Sequence, residues 1–131
     1  MTSPTTFKSG RAEGGAALTA DRSGSRHTKI MRLSAYALAP LGVLSLWFIA
    51  GVIGKSYEVV RAEIGRPLPA FTLIAFVMIA FYHARLGADT IIEDYIHDKA
   101  LAEKALLLNK WLMGGFGAVF VLSILLIAGA R

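Results

Sequence analysis

Three long apolar segments alternate with shorter polar ones along this chain of 131 residues. The first covers residues 33–53 and holds no charged residue. As a helix, about 20 apolar residues are enough to cross the ~30 Å hydrocarbon core of a bilayer. The second and third segments follow over about 69–95 and 106–129 with few polar interruptions. The pattern predicts an all-α membrane protein with three transmembrane helices.

The connector over residues 54–69 carries a weaker helical pattern of its own. Tyr57, Val60 and Ile64 recur at i, i+3 and i+7, which predicts a short helix at the membrane interface. The second membrane helix is then expected to begin near Pro69, because the first turn of a helix tolerates a residue without an N–H group.

The first 29 residues differ from the rest of the chain. They are rich in Ser, Thr, Gly and Ala and show no apolar period, so they bury too little surface to offset the entropy lost on ordering. We therefore expect a flexible basic arm over residues 1–29 and a transmembrane domain over 30–131. The charged residues 98–104 are expected to link the second span to the third.

Composition agrees with a membrane protein and limits its chemistry. Hydrophobic residues make up 55% of the chain and charged residues 18%, which is more apolar and less charged than an ordinary soluble domain. There is no cysteine, so the chain holds no iron–sulfur cluster through its own thiolates. It also has no glycine-rich dinucleotide fingerprint after a strand.

The net charge of +5 is distributed unevenly across the predicted topology. Six of the 14 lysines and arginines precede the first span, and four more lie over residues 85–110, on the same predicted side. The positive-inside rule then places the N-terminus and the second connector in the cytoplasm. This distribution favours a membrane surface over nucleic acid as the reason for the basic charge.

The second apolar segment carries the most distinctive side chains. His83 is the only histidine within an apolar segment, and an ionisable residue in a membrane span is a functional candidate because its desolvation is costly. At about 100° per residue, Gly87 and Asp94 lie near the azimuth of His83, and Tyr95 follows Asp94. One helical face therefore combines an imidazole, a gap and, at the membrane surface, a carboxylate beside a phenol.

From the residues alone, each of these positions has two interpretations. His83 either ligates iron as a neutral imidazole, with Gly87 leaving room for a porphyrin, or forms a hydrogen bond to a carbonyl of a neighbouring helix, with Gly87 as a packing site. Tyr95 either donates a hydrogen bond to a ligand or anchors the helix at the interface. Asp94 either orients a basic partner and relays protons or is a solvated charge.

Two further features are assigned no role in binding a ligand. Arg85 lies two residues from His83, on nearly the opposite face, and is expected to reach the interface or to pair with Asp89 four residues further on. In the third span, small residues over 114–118 either allow another helix to approach closely in lipid or reflect only the higher frequency of glycine in membrane helices.

The strings His83-Ala-Arg-Leu-Gly87 and Ile92-Glu-Asp-Tyr-Ile-His97 resemble the second membrane helix of a known family. This is the small hydrophobic anchor subunit of succinate dehydrogenase (respiratory complex II), in its alphaproteobacterial and mitochondrial-like branch. A looser similarity covers the string that begins at Arg32 and ends at Pro40 in the first span.

The resemblance implies a role for five residues. His83 corresponds to an axial ligand of haem b, whose second ligand comes from the larger anchor subunit, and Gly87 leaves room for the porphyrin. Arg32 matches an arginine that pairs with a haem propionate, although it also fits a positive-inside anchor. Tyr95 corresponds to a donor to a ubiquinone carbonyl, and Asp94 to a residue that supports that site.

The implied function is that of a non-catalytic subunit of succinate:quinone oxidoreductase, in the respiratory electron-transport chain and the tricarboxylic acid cycle. Its implied partners are the lipid membrane, a larger cytochrome b anchor subunit that completes a larger helical bundle, an iron–sulfur subunit and, through the complex, a flavoprotein. This chain is expected to hold no residue that oxidises succinate and to bind no nucleic acid. The implied location is the bacterial inner membrane with a cytoplasmic N-terminus, or alternatively the mitochondrial inner membrane. Two other functions remain open: a haem-free scaffold or assembly subunit, and a small proton-coupled transporter subunit with His83 and Asp94 as a relay.

Overall fold

The computed structural model describes residues 14–129, with side chains from Arg26 onwards. This part of the chain forms four helices: α1 (Gly14–Val52), α2 (Tyr57–Ile64), α3 (Pro67–Tyr95) and α4 (Lys99–Gly129). Three stretches are long and apolar enough to cross a membrane, namely Arg26–Val52 within α1 and the whole of α3 and α4. No strand occurs among the described residues. The predicted all-α architecture with three membrane helices is confirmed.

The chain divides into two compact units, Met1–Ile30 and Met31–Arg131. The described residues of the first unit are helical. Helix α1 begins at Gly14, well before the charge-free segment that starts at Leu33. Between Gly14 and Pro40 there is no other proline to stop the helix. The predicted flexibility of the arm stays a prediction, and its first 13 residues lie outside the described ones.

Local sequence explains where the helices of the second unit begin. The short helix predicted in the first connector is α2, so that prediction is confirmed. Helix α3 starts at Pro67. A proline is tolerated there because an N–H group at the first helical position would have no acceptor within the helix. Helix α4 starts at Lys99, so residues 99–104, which were predicted to link the two spans, form its first turns. The reason is a cap: Oδ1 of Asp98 accepts the backbone N–H of Leu101 at 2.8 Å, which satisfies a free donor of the first turn.

Helix α2 packs where α3 begins and α4 ends. The chain reaches it from α1 through a turn at Gly54, whose φ of 75° lies in the region that favours glycine. From α2, Ile64 packs against a small buried cluster of Ala70, Leu73 and Ile124. Helix α2 therefore packs against both the start of α3 and the end of α4.

Helix α3 lies antiparallel to α1 and to α4, and glycines mark both contacts. A Cβ atom added to Gly42 of α1 would lie 3.5 Å from the Phe76 ring, and one added to Gly117 of α4 would lie 3.5 Å from Cβ of Phe81. The Phe81 ring also packs on Phe120, with ring centroids 5.8 Å apart. The predicted close approach is therefore found at Gly117, while the two preceding glycines face open space.

The distribution of polar and apolar side chains is the reverse of that in a soluble protein. Among the described residues, large apolar side chains lie mainly on the outside, and as many polar as apolar residues are buried. In lipid this is favourable, because the outer surface meets hydrocarbon and polar groups must find partners within the protein. The buried polar residues are Ser34, Ser45, Thr72 and Asn109.

Candidate functional site

The histidine of α3 lies against α1, where it meets a buried serine. Nδ1 of His83 is 2.8 Å from Oγ of Ser34. The same hydroxyl donates to the carbonyl oxygen of Met31, one turn earlier on α1, at 2.9 Å. A carbonyl only accepts, and a serine hydroxyl has a single proton to give. Both contacts are hydrogen bonds at the same time only if Ser34 accepts from His83, and this requires hydrogen on Nδ1.

This hydrogen bond defines the state of the neutral ring. With hydrogen on Nδ1, the lone pair lies on Nε2, and Nε2 has no hydrogen-bond partner within residues 26–129. A metal-bound histidine uses the same arrangement, in which one nitrogen donates to a protein acceptor and the other ligates. The two interpretations of His83 are therefore compatible: it forms a hydrogen bond to a neighbouring helix, through a hydroxyl and not a carbonyl, and it retains a nitrogen with a free lone pair.

The position one turn beyond the histidine faces the same helix. A Cβ atom at Gly87 would lie 3.4 Å from Cε of Met31, so the space beside this glycine is bounded by the end of a flexible side chain and not by backbone. Arg32, the next residue on α1, is exposed. A nitrogen able to ligate iron and an adjustable gap thus lie on one face of α3, and an exposed arginine follows Met31 on the facing helix; this donor set fits a haem held from one side.

Asp94 and Tyr95 lie at the other end of the predicted functional face. Tyr95 is the last residue of α3, and its side chain is 78% exposed; Asp94 is also exposed. Neither side chain forms a hydrogen bond or an ion pair with another described residue. Tyr95 lies twelve positions after His83, which is about 18 Å along a helix. The structure thus keeps the imidazole and the phenol on one helix but does not bring their side chains together.

A second polar cluster joins α3 to α4 on the other side of α3. The amide Nδ2 of buried Asn109 donates to the carbonyl oxygen of Arg85 at 3.1 Å and to Oδ1 of Asp89 at 2.8 Å. The other carboxylate oxygen of Asp89 lies 3.6 Å from Nε of Arg85. That distance is ion-pair range but too long for a hydrogen bond. The predicted Arg85–Asp89 pairing is confirmed.

Sequence reasoning assigned no role to the two residues that anchor these clusters, Ser34 and Asn109. A signal existed for both, since a hydroxyl or an amide in an apolar span needs a partner within the protein. The partners were not apparent, because Ser34 meets His83 across 49 positions and Asn109 meets Asp89 across 20. Within the described residues, no three His, Cys, Asp or Glu side chains form a group that could hold a metal ion.

The fold and this site define a class: a polytopic helical membrane protein with a candidate haem-ligating histidine in its second membrane helix. The chain belongs to the family described as succinate dehydrogenase/fumarate reductase transmembrane subunit, whose family model matches residues 17–126.

The chain is similar to several proteins named succinate dehydrogenase hydrophobic membrane anchor subunit. It is 38% identical to the one from Paracoccus denitrificans over 72 residues, 55% of this chain and 56% of the relative. It is 32% identical to the one from Rickettsia bellii over 75 residues, 57% and 60% of the two chains. Both matches span less than two thirds of the relative's length. No solved structure matches the chain.

The resemblance inferred from the second membrane helix is thus confirmed, including its alphaproteobacterial character. The roles of individual residues toward haem and quinone stay predictions.

Proposed function

We propose that this chain is the hydrophobic membrane anchor subunit of a succinate dehydrogenase. In this proposal it attaches soluble subunits to the membrane, shares haem b with a larger anchor subunit and completes the site where ubiquinone is reduced. The observation that carries the haem assignment is the Ser34–His83 hydrogen bond, because it leaves Nε2 of a membrane-embedded histidine available as a ligand.

Three residues near one level of α1 and α3 would hold the haem. His83 would ligate through Nε2, and the second axial ligand would come from the partner subunit. The gap at Gly87 would open when the flexible side chain of Met31 turns aside. The exposed guanidinium of Arg32 suits a propionate, because its planar fork matches carboxylate geometry. When bound, haem b supplies a one-electron carrier within the membrane.

The end of α3 would contribute to the quinone site. Tyr95 exposes its phenol and has no hydrogen-bond partner among the described residues, so its O–H is available to a quinone carbonyl. Such a donor stabilises the negative charge that develops on the carbonyl oxygen during reduction. The neighbouring carboxylate of Asp94 would orient a basic group of a partner subunit or relay protons to the product.

The outer surface of the three long helices supports assembly into a larger bundle. On α1, the exposed fractions of Tyr36 and Trp47 are 76% and 77%, and large aromatic side chains at that exposure belong against lipid or a partner helix. The distribution of lysine and arginine supports a cytoplasmic N-terminus in a bacterial inner membrane. Oxidation of succinate itself would take place on the soluble partners.

Co-expression with the genes for the partner subunits tests the proposal. We expect the purified complex to contain this chain and to show a reduced b-type absorbance band and bound quinone. Partners retained without pigment would favour a haem-free scaffold instead. Proton-coupled flux through this chain in vesicles, without pigment or quinone, would favour a transporter subunit.

A further inference from the structure

We infer that Ser34 is a positioning residue that fixes the tautomer of His83 and the electron density of its ligating nitrogen. The inference rests on the proposed haem role of His83. It goes beyond that role because it assigns control of the ligand to a hydroxyl on a different helix.

The geometry is a directed chain of hydrogen bonds. Within α1, the hydroxyl of Ser34 donates to the carbonyl oxygen of Met31 at 2.9 Å. That bond turns the oxygen lone pairs toward α3, where they accept Nδ1–H of His83 at 2.8 Å. The serine is only 8% exposed, so water does not replace it as the partner of the ring. The orientation of the imidazole is therefore set by the backbone of another helix, through one side chain.

The alternative tautomer is disfavoured by the same contacts. If hydrogen lay on Nε2, the lone pair of Nδ1 would face an oxygen whose proton is already used by Met31. The hydroxyl would then have to turn away from its own helix to give Nδ1 a donor. With Nδ1–H in place, no such rotation is needed and Nε2 keeps its lone pair.

An acceptor at Nδ1–H also strengthens the ligand. A histidine that donates its second N–H to a protein acceptor is a more basic ligand with a fixed ring orientation, and loss of that acceptor typically costs about 10–100-fold in metal affinity. A more basic nitrogen stabilises ferric over ferrous iron. Removal of the Ser34 hydroxyl should therefore lower haem occupancy and raise the midpoint potential of the haem that remains.

The test compares variants in the complete purified complex. Ser34→Ala removes the acceptor, and Ser34→Thr keeps a hydroxyl at the same carbon. Ser45→Ala is the matched control, because Ser45 is a buried serine on the same helix, 2% exposed, whose hydroxyl has no hydrogen-bond partner in the described part of the chain. Each variant is measured by haem-to-protein ratio, potentiometric titration of the haem and the ferric electron paramagnetic resonance spectrum.

We expect Ser34→Ala to have a roughly 10–100-fold lower affinity for haem, a higher midpoint potential of the haem and altered ferric g-values. Ser34→Thr and Ser45→Ala should match the unsubstituted complex. If Ser34→Ala fails to assemble, Ser34→Cys takes its place, because a thiol of similar size is only a weak acceptor; it should shift the potential in the same direction.

A wild-type potential and spectrum in both Ser34→Ala and Ser34→Cys would overturn the inference. An equal shift in Ser45→Ala would also overturn it, because the effect would then follow loss of any buried hydroxyl from α1. A separate variant, His83→Ala, distinguishes failure of the Ser34 role from failure of the haem assignment. If that variant keeps an unchanged b-type spectrum, the haem assignment itself fails.

Discussion

At the scale of residues, the proton of one hydroxyl decides which nitrogen of His83 is available. If Ser34 gives that proton to Met31, it accepts from the ring, and the lone pair that we propose as the iron ligand lies on Nε2. The helical spacing of His83, Gly87 and Asp94 was apparent from the sequence because it is local to one helix. The serine was not, because its contact depends on how α1 and α3 are aligned.

A second residue-scale prediction concerns the phenol at the end of α3. Tyr95→Phe keeps the ring and its interfacial preference and removes only the hydroxyl. A lost hydrogen bond is worth about 0.5–1.5 kcal/mol, and more where charge develops. Since about 1.4 kcal/mol is tenfold in rate, we expect quinone reduction to fall at least several-fold. Succinate oxidation with an artificial acceptor at the soluble subunits should persist.

Tyr57→Phe is the control for that measurement. Tyr57 begins α2, at the opposite end of the bundle, and is 70% exposed, close to the 78% of Tyr95. It should leave quinone reduction unchanged. If Tyr95→Phe reduces quinone at the wild-type rate, at saturating and at limiting quinone, then Tyr95 is an interfacial anchor and not a donor to the substrate.

At the scale of elements, contacts within one helix were predictable from the sequence, whereas contacts between helices were not. The Arg85–Asp89 pair was predictable because residues four apart share a helix face. The helical state of residues 99–104 was not predicted, because their charges are typical of a connector, whereas the cap at Asp98 starts α4 before them. Contacts between helices, such as those of Asn109, require the packing that only the folded chain provides.

The Asn109 cluster makes a prediction about the contact between α3 and α4. Asn109→Leu leaves the Arg85 carbonyl and the Asp89 carboxylate without their shared donor. Interhelical hydrogen bonds in a membrane protein are worth about 0.6 kcal/mol on average and up to about 1.7. We expect a loss of that size in the free energy of unfolding, measured by denaturant titration of the complex in detergent.

Ser123→Ala is the matched control on the same helix. Its hydroxyl is exposed and donates only to the carbonyl oxygen of Val119 within α4, at 2.8 Å. Removal of that bond should change the unfolding free energy less than Asn109→Leu does. Equal stability of Asn109→Leu and the unsubstituted complex would show that the cluster does not hold α3 to α4.

At the scale of the whole molecule, the side of the membrane on which each connector lies is a direct consequence of the proposal. The chain has no cysteine, so a single introduced thiol reports its own accessibility. Ser56→Cys places a thiol in the exposed connector between α1 and α2, and His97→Cys places one between α3 and α4. In intact cells, a membrane-impermeant maleimide should label Ser56→Cys, whereas His97→Cys should be labelled only after permeabilisation. The reverse pattern would contradict a cytoplasmic N-terminus.

The reduced-minus-oxidised optical spectrum of the purified complex is the direct test of the proposal that His83 ligates haem b. It is recorded for the unsubstituted chain, for His83→Ala and for His97→Ala. His97 is the matched control because it is an exposed histidine that follows the end of α3. We expect the unsubstituted chain and His97→Ala to show the same b-type band. In His83→Ala the band should be lost or converted to a high-spin form, with the three helices still inserted because their apolar length is unchanged. An unchanged low-spin b-type spectrum in His83→Ala would contradict the proposal that His83 holds the haem.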